Sequence, residues 1–102
     1  MKYSYMTIGK DITEITYSKS YNINGIRCID VCIETATQND LVNVIVQMPF
    51  ALVKKSYGMD NVTIQNWINF IKKNYTLINE MSIRNEEEEV KRCHKFSGTK
   101  GI

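Results

Sequence analysis

The chain has 102 residues, 43% of them hydrophobic and 24% charged, with a net charge of +2. That length suits one domain with a modest core, and the near-balanced charge neither demands nucleic acid as a partner nor suggests an acidic mimic of it. The residues after Met1, Lys2-Tyr3-Ser4-Tyr5-Met6-Thr7, lack the continuous apolar stretch of a signal peptide, so a cytoplasmic protein is expected. The abundance of Ile, Asn, Lys and Tyr is the usage of an AT-rich genome, such as that of a low-GC bacterium, a phage or a large DNA virus. Three cysteines in a reducing compartment imply thiols rather than a disulfide framework.

Period-two alternation of Ile, Val, Thr and Tyr marks the first half as β structure. A first strand is expected from Tyr3 to Ile8, closed by Gly9-Lys10-Asp11, and a second from near Ile12 through Ile15 and Tyr17 to Ile23. Asn24-Gly25, between Ile23 and Ile26, predicts a β-hairpin, because both residues tolerate the positive φ of a type I′ turn. Ile29, Val31 and Ile33 then point to one face, opposite Asp30, Cys32 and Glu34. Thr37-Gln38-Asn39-Asp40 reads as a turn, followed by a very apolar strand ending at Pro49. Phe50 to Lys55 is compatible with a short helix or an edge strand, and helix is slightly preferred.

The second half changes period. Ile64, Trp67, Ile68 and Ile71 follow the i, i+3, i+4, i+7 stripe of an amphipathic helix, with Asp60 or Asn61 available as its cap. Asn74 is a candidate left-handed residue past the helix end, after which Thr76 would cap a second helix with Leu77, Ile78 and Met81 on its apolar side. Glu87 with Lys91 and Glu88 with Arg92 are i, i+4 pairs that would carry that helix into solvent, and the run from Glu86 to Glu89 reads as a solvated face. The expectation is an α+β domain over residues 1–95, an antiparallel β-meander of three to four strands packed against two C-terminal helices, with a flexible basic tail over 96–102.

Chemistry-bearing motifs are few. Cys28, Cys32, Cys93 and His94 are potential zinc ligands, but Cys28 and Cys32 on one strand would stand about 13 Å apart, too far to share an ion. Cys93 beside His94 lacks an orienting carboxylate, and neither a Walker motif nor a Gly-rich dinucleotide loop occurs. Catalysis, a metal and a cofactor are therefore not expected, although Asp11, Glu14, Asp30 and Glu34 keep open a small enzyme of unfamiliar type.

Tyr3, Tyr5, Tyr17 and Tyr21, together with Arg27, Lys72 and Lys73, are the candidate binding residues, since aromatics beside cations suit either stacked bases or a protein interface. The leading expectation is a small non-enzymatic binding protein, an inhibitor or adaptor of phage, viral or mobile-element type, that covers a protein partner. A nucleic-acid-binding module is the alternative. A meander also leaves edge strands through which a homodimer would form. With the Trp67 helix over one sheet face, the opposite face and the open strand edge are left to meet a partner.

Overall fold

A computed structural model describes residues 2–9 and 12–100, with side chains for 3–9 and 12–91. Six strands precede one helix: β1 (Lys2–Ile8), β2 (Thr13–Ser18), β3 (Tyr21–Ile23), β4 (Ile26–Ala36), β5 (Leu41–Met48), β6 (Leu52–Tyr57) and α1 (Asn61–Lys100). The α+β expectation holds, with an antiparallel sheet first and helix last. Its finer parts do not: the described residues form six strands rather than three or four, and one helix of 40 residues rather than two. No helix among the described residues is long and apolar enough to cross a membrane.

The sheet runs β1-β2-β4-β5-β6, and β3 also pairs with β4. β2 and β3 share one edge of β4, interrupted at Lys19-Ser20, because the Ser20 amide donates to Glu86 at 2.7 Å instead of to the ladder. The expected single strand from Ile12 to Ile23 is broken there. Asn24 and Gly25 form the two-residue hairpin loop with φ of 51° and 83°, the positive values a type I′ turn requires. β5 stops at Met48 before Pro49.

Phe50 to Lys55 does not make the short helix that was preferred. β6 starts at Leu52 and runs through Tyr57, antiparallel to β5, with a register shift at Ile45/Val46. Three successive turn residues at 49–51 set up a hairpin return, and β-branched Val53 and aromatic Tyr57 suit the extended strand.

Asp60 caps α1, its carboxylate accepting from the Thr63 amide at 2.7 Å. The Thr63 side-chain hydroxyl first, and this amide second, hold the Asp60 carboxyl below its ordinary pKa. Asn74 does not end the helix. Its side-chain amide donates to the Phe70 carbonyl four residues back at 2.8 Å, so it sits within the helical ladder. The buried stripe simply continues past it, from Ile68 and Ile71 to Ile78 and Ser82. The tail expected over 96–102 falls among residues whose side chains, and at 101–102 also the backbone, lie outside the described residues.

One face of the sheet and one stripe of α1 make the core. Ile15, Tyr17, Ile29, Val31, Ile33, Val44, Val46 and Met48 pack against Ile68, Ile71 and Ile78, with Ile64, Trp67 and Tyr75 partly buried at the margin. Trp67 meets Phe70 edge to face at 5.7 Å. Leu77, expected on the apolar side of a helix, is 52% exposed.

Candidate binding surface

Beyond Ile78 the stripe of α1 that faces the sheet turns polar, and its contacts with the strands turn polar with it. Arg27 on β4 donates to Asn79 Oδ1 at 2.7 Å, to Ser82 Oγ at 2.8 Å and to Glu86 Oε1 at 3.3 Å. Glu86 also accepts from the Ser20 hydroxyl at 2.8 Å. Tyr17, fully buried, is hydrogen bonded to Asn85, while Tyr3 donates to Glu89, which also lies 3.5 Å from Lys19. The Tyr3 phenol is pushed up to about 12, first by that bond to Glu89. Tyr5 donates to Asn74 at 3.0 Å.

Two expectations change here. The run from Glu86 to Glu89 is not a uniformly solvated face, because Glu86 and Glu89 turn to the strands while Glu87 and Glu88 are exposed. Of the candidate binding residues, Tyr3, Tyr5, Tyr17 and Arg27 are engaged with α1. Tyr17 shares a strand face with Ile15, two residues away, and that alternation is the sequence signal that places it inward. Lys72 and Lys73 are exposed on the outer side of α1.

The polar contacts make the helix's grip on the sheet dependent on pH. Burial acts to raise the Glu86 pKa, but the Ser20 amide and hydroxyl and the Arg27 charge outweigh it, so the carboxyl lies below its ordinary value of 4.5. A depressed carboxyl stabilises the fold fully above the unfolded value, and that contribution is lost as pH falls through the folded one. Unfolding titrations from pH 7 to pH 3 should therefore show native chain more stable than Glu86→Gln at neutral pH, with the gap closing below about pH 4.5. A gap independent of pH would remove Glu86 from this role.

Tyr21, the remaining candidate, belongs to the other face of the sheet. Its hydroxyl donates to Asp30 and accepts from Gln47 Nε2 at 3.0 Å. Lys54 of β6 binds Asp30 Oδ2 at 2.8 Å and lies 5.3 Å from the centre of the Tyr21 ring. Burial, then the Asp30 bond, raises the Tyr21 pKa, and the same carboxylate raises that of Lys54. Both shifts move away from neutrality, the opposite of what general acid–base work requires. The constellation is suited to hydrogen-bonded recognition.

No layer of the described structure covers this open face, and β6 forms its margin. All six residues of β6 are exposed, including Leu52 at 56%, Val53 at 43% and Tyr57 at 54%, next to Phe50 at 41%. Tyr57 donates to Asp40 at 2.7 Å, which anchors the strand end to the β4–β5 turn. Among the described residues, Thr16 Oγ1 and Asn43 Oδ1 are the buried side-chain oxygens without a hydrogen-bond partner. Both belong to the open face: Asn43 alternates with inward Val44, and Thr16 with inward Ile15 and Tyr17. Cys28 and Cys32 are buried outside the core cluster, and no group of three or more metal-ligating side chains occurs among the described residues. Cys93 and His94 fall outside the described side chains.

Comparison with protein-family models, with curated proteins and with solved structures found no match to this chain.

Proposed function

We propose that the chain is a non-enzymatic binding protein, an inhibitor or adaptor, that engages a protein partner through the open face and its β6 margin. The observation that carries this reading is β6 itself: an outer strand exposed on both sides and bearing Leu52, Val53 and Tyr57, continuous with Phe50. Soluble monomers seldom leave such an apolar edge uncovered. Lys54, Lys55 and the register shift beside them hinder indiscriminate strand addition. Recognition therefore falls mainly to side chains, with aromatic and aliphatic anchors at the centre and lysines at the rim.

The nucleic-acid alternative has less to stand on. Tyr3, Tyr5, Tyr17 and Arg27 are occupied by α1, and Tyr21 lies on the side of the sheet opposite the helix that carries Lys72 and Lys73. Among the described residues, no single surface gathers a row of stacking rings with these cations.

The test is affinity capture from the native host with three forms of the protein: native, the double variant Leu52→Asp/Val53→Asp, and Lys72→Ala/Lys73→Ala. A protein retained by the native and lysine-variant forms, and bound at least about 30-fold more weakly by the β6 variant, is the expected result. Retention of nucleic acid that collapses with salt and with the lysine substitutions would favour the alternative instead. Sedimentation of the native and β6 forms shows whether the captured partner is a second copy of the chain, since a homodimer through this edge would dissociate in the variant.

A further inference from the structure

We infer that a cavity between one end of the sheet and the first turns of α1 binds a neutral polyol the size of a pyranose sugar. It lies on the helix-covered side of the sheet, apart from the open face, because Thr13, Thr35 and Val42 alternate with inward Ile15, Ile33 and Val44. Thr63 and Trp67, one turn apart on α1, form the opposite wall, and Asp60 stands where the chain enters the helix. The space measures about 370 Å³. A cavity of roughly 150 Å³ holds benzene, so this one takes about a dozen heavy atoms with room for water.

The lining decides the ligand class. Thr13, Thr35, Thr37 and Thr63 bring hydroxyls that both donate and accept. Thr13 Oγ1 and Thr35 Oγ1 share one bond at 2.9 Å, which leaves the pair a proton to donate. Thr37 Oγ1 donates to the Asp40 carbonyl and accepts from the Asp40 amide, and keeps a further lone pair. Asp60 Oδ1 takes the Thr63 amide at 2.7 Å, while a carboxylate accepts about four bonds in all. Trp67 adds an indole ring whose orientation Phe70 supports edge to face.

An anion meets no cation here, since Asp60 alone is charged among the described lining residues. A quaternary ammonium ion is held by a cage of several aromatic faces, and Trp67 is the single aromatic among those residues. Hydroxyls of both polarities around one ring instead match a molecule with an apolar face and a hydroxyl rim. A pyranose has that form: axial C–H bonds gather on one face, which suits the indole, and equatorial hydroxyls reach outward to threonine and Asp60.

Trp67 is the only tryptophan of the chain, so its fluorescence reports on this cavity. Titration of the full chain with the methyl glycosides of glucose, galactose and mannose should give a saturable change with at least one of them. A Kd of about 1 mM is expected for about a dozen heavy atoms, and saturating sugar should shield Trp67 from acrylamide quenching. Thr13→Val/Thr35→Val replaces both members of a hydrogen-bonded pair by apolar groups of the same shape, which costs little stability, and should weaken the sugar about five-fold, the value of one neutral hydrogen bond. Asp60→Asn keeps a helix cap while removing the charge, and should leave sugar binding saturable. The inference is overturned if no glycoside saturates, if sugar gives Trp67 no protection from quenching, or if the folded threonine variant binds as tightly as the native chain. It is also overturned if tetramethylammonium binds more tightly than every glycoside and is lost in Asp60→Asn. These readouts follow Trp67, whereas protein capture follows β6, so failure here leaves the reading of that margin standing.

Discussion

Ile78→Ala is expected to destabilise the protein by about 3 kcal/mol, lowering the melting temperature by roughly 15 °C. Ile78 is fully buried, in one cluster with Tyr17, Val31 and Ile71. It is also the last large aliphatic of the α1 stripe to be buried, before Ser82 and the polar contacts of Asn79, Asn85, Glu86 and Glu89 take over. Truncation therefore removes apolar transfer energy and leaves a cavity that side chains on a six-stranded sheet cannot easily close. The neighbouring Leu77→Ala is the control. Leu77 is 52% exposed, and its truncation should change stability by no more than about 0.5 kcal/mol. Denaturant titrations of both variants check this, with an unchanged slope confirming that the midpoint alone has moved. Equal losses at 77 and 78 would mean that α1 is rotated from the orientation described.

The same pair of residues shows where sequence reasoning succeeds and where it stops. The i, i+3, i+4 rule finds the helix because Ile64, Trp67, Ile68 and Ile71 are all apolar. It then fails twice on the same stripe. Asn74 looks like a terminator by residue type, yet a single asparagine can be absorbed by bonding back to the Phe70 carbonyl. After Ile78 the sheet-facing positions are Ser82, Asn85, Glu86 and Glu89, which a reading confined to apolar residues takes for solvent. Their inward direction follows only from continuing the helical phase. Their acceptability follows from partners more than 50 residues away, such as Arg27 with Ser82 and Glu86.

The hairpin at Asn24-Gly25 was legible because its cause is local, a requirement for positive φ at two adjacent residues. β6 was not, since six residues of mixed polarity fit a helix or an edge strand equally, and the pairing with β5 decides between them. The candidate site divides along similar lines. That the face opposite the helix and an open edge would be left uncovered could be argued from sequence. Tyr17 could be placed inward by its alternation with Ile15, whereas the facing of Tyr3, Tyr5 and Tyr21 depended on the pairing of β1 and β3 with their neighbours.

Gly58→Ala is the second substitution with a large expected effect, because it acts where the chain leaves β6 and enters α1. Gly58 has φ of +75°, and a Cβ added there would stand 2.5 Å from Val42 Cγ1 and 3.2 Å from Val42 Cβ. The left-handed conformation alone costs an alanine about 1 kcal/mol. The contact adds an overpacking penalty of about 1–3 kcal/mol, since branched Val42 has few rotamers into which to withdraw. A total near 3 kcal/mol is expected. Gly25→Ala separates the two causes: Gly25 has φ of +83° but nothing within 4 Å of its added Cβ, so that variant should lose only the conformational part. Thermal unfolding of the two variants thus measures how tightly the β6–α1 junction rests on β5. If Gly58→Ala and Gly25→Ala lose the same amount, the junction yields around Val42. If Gly58→Ala loses more, the close approach of Gly58 to Val42 helps fix where α1 begins its path across the sheet, and with it which face stays covered and which stays open.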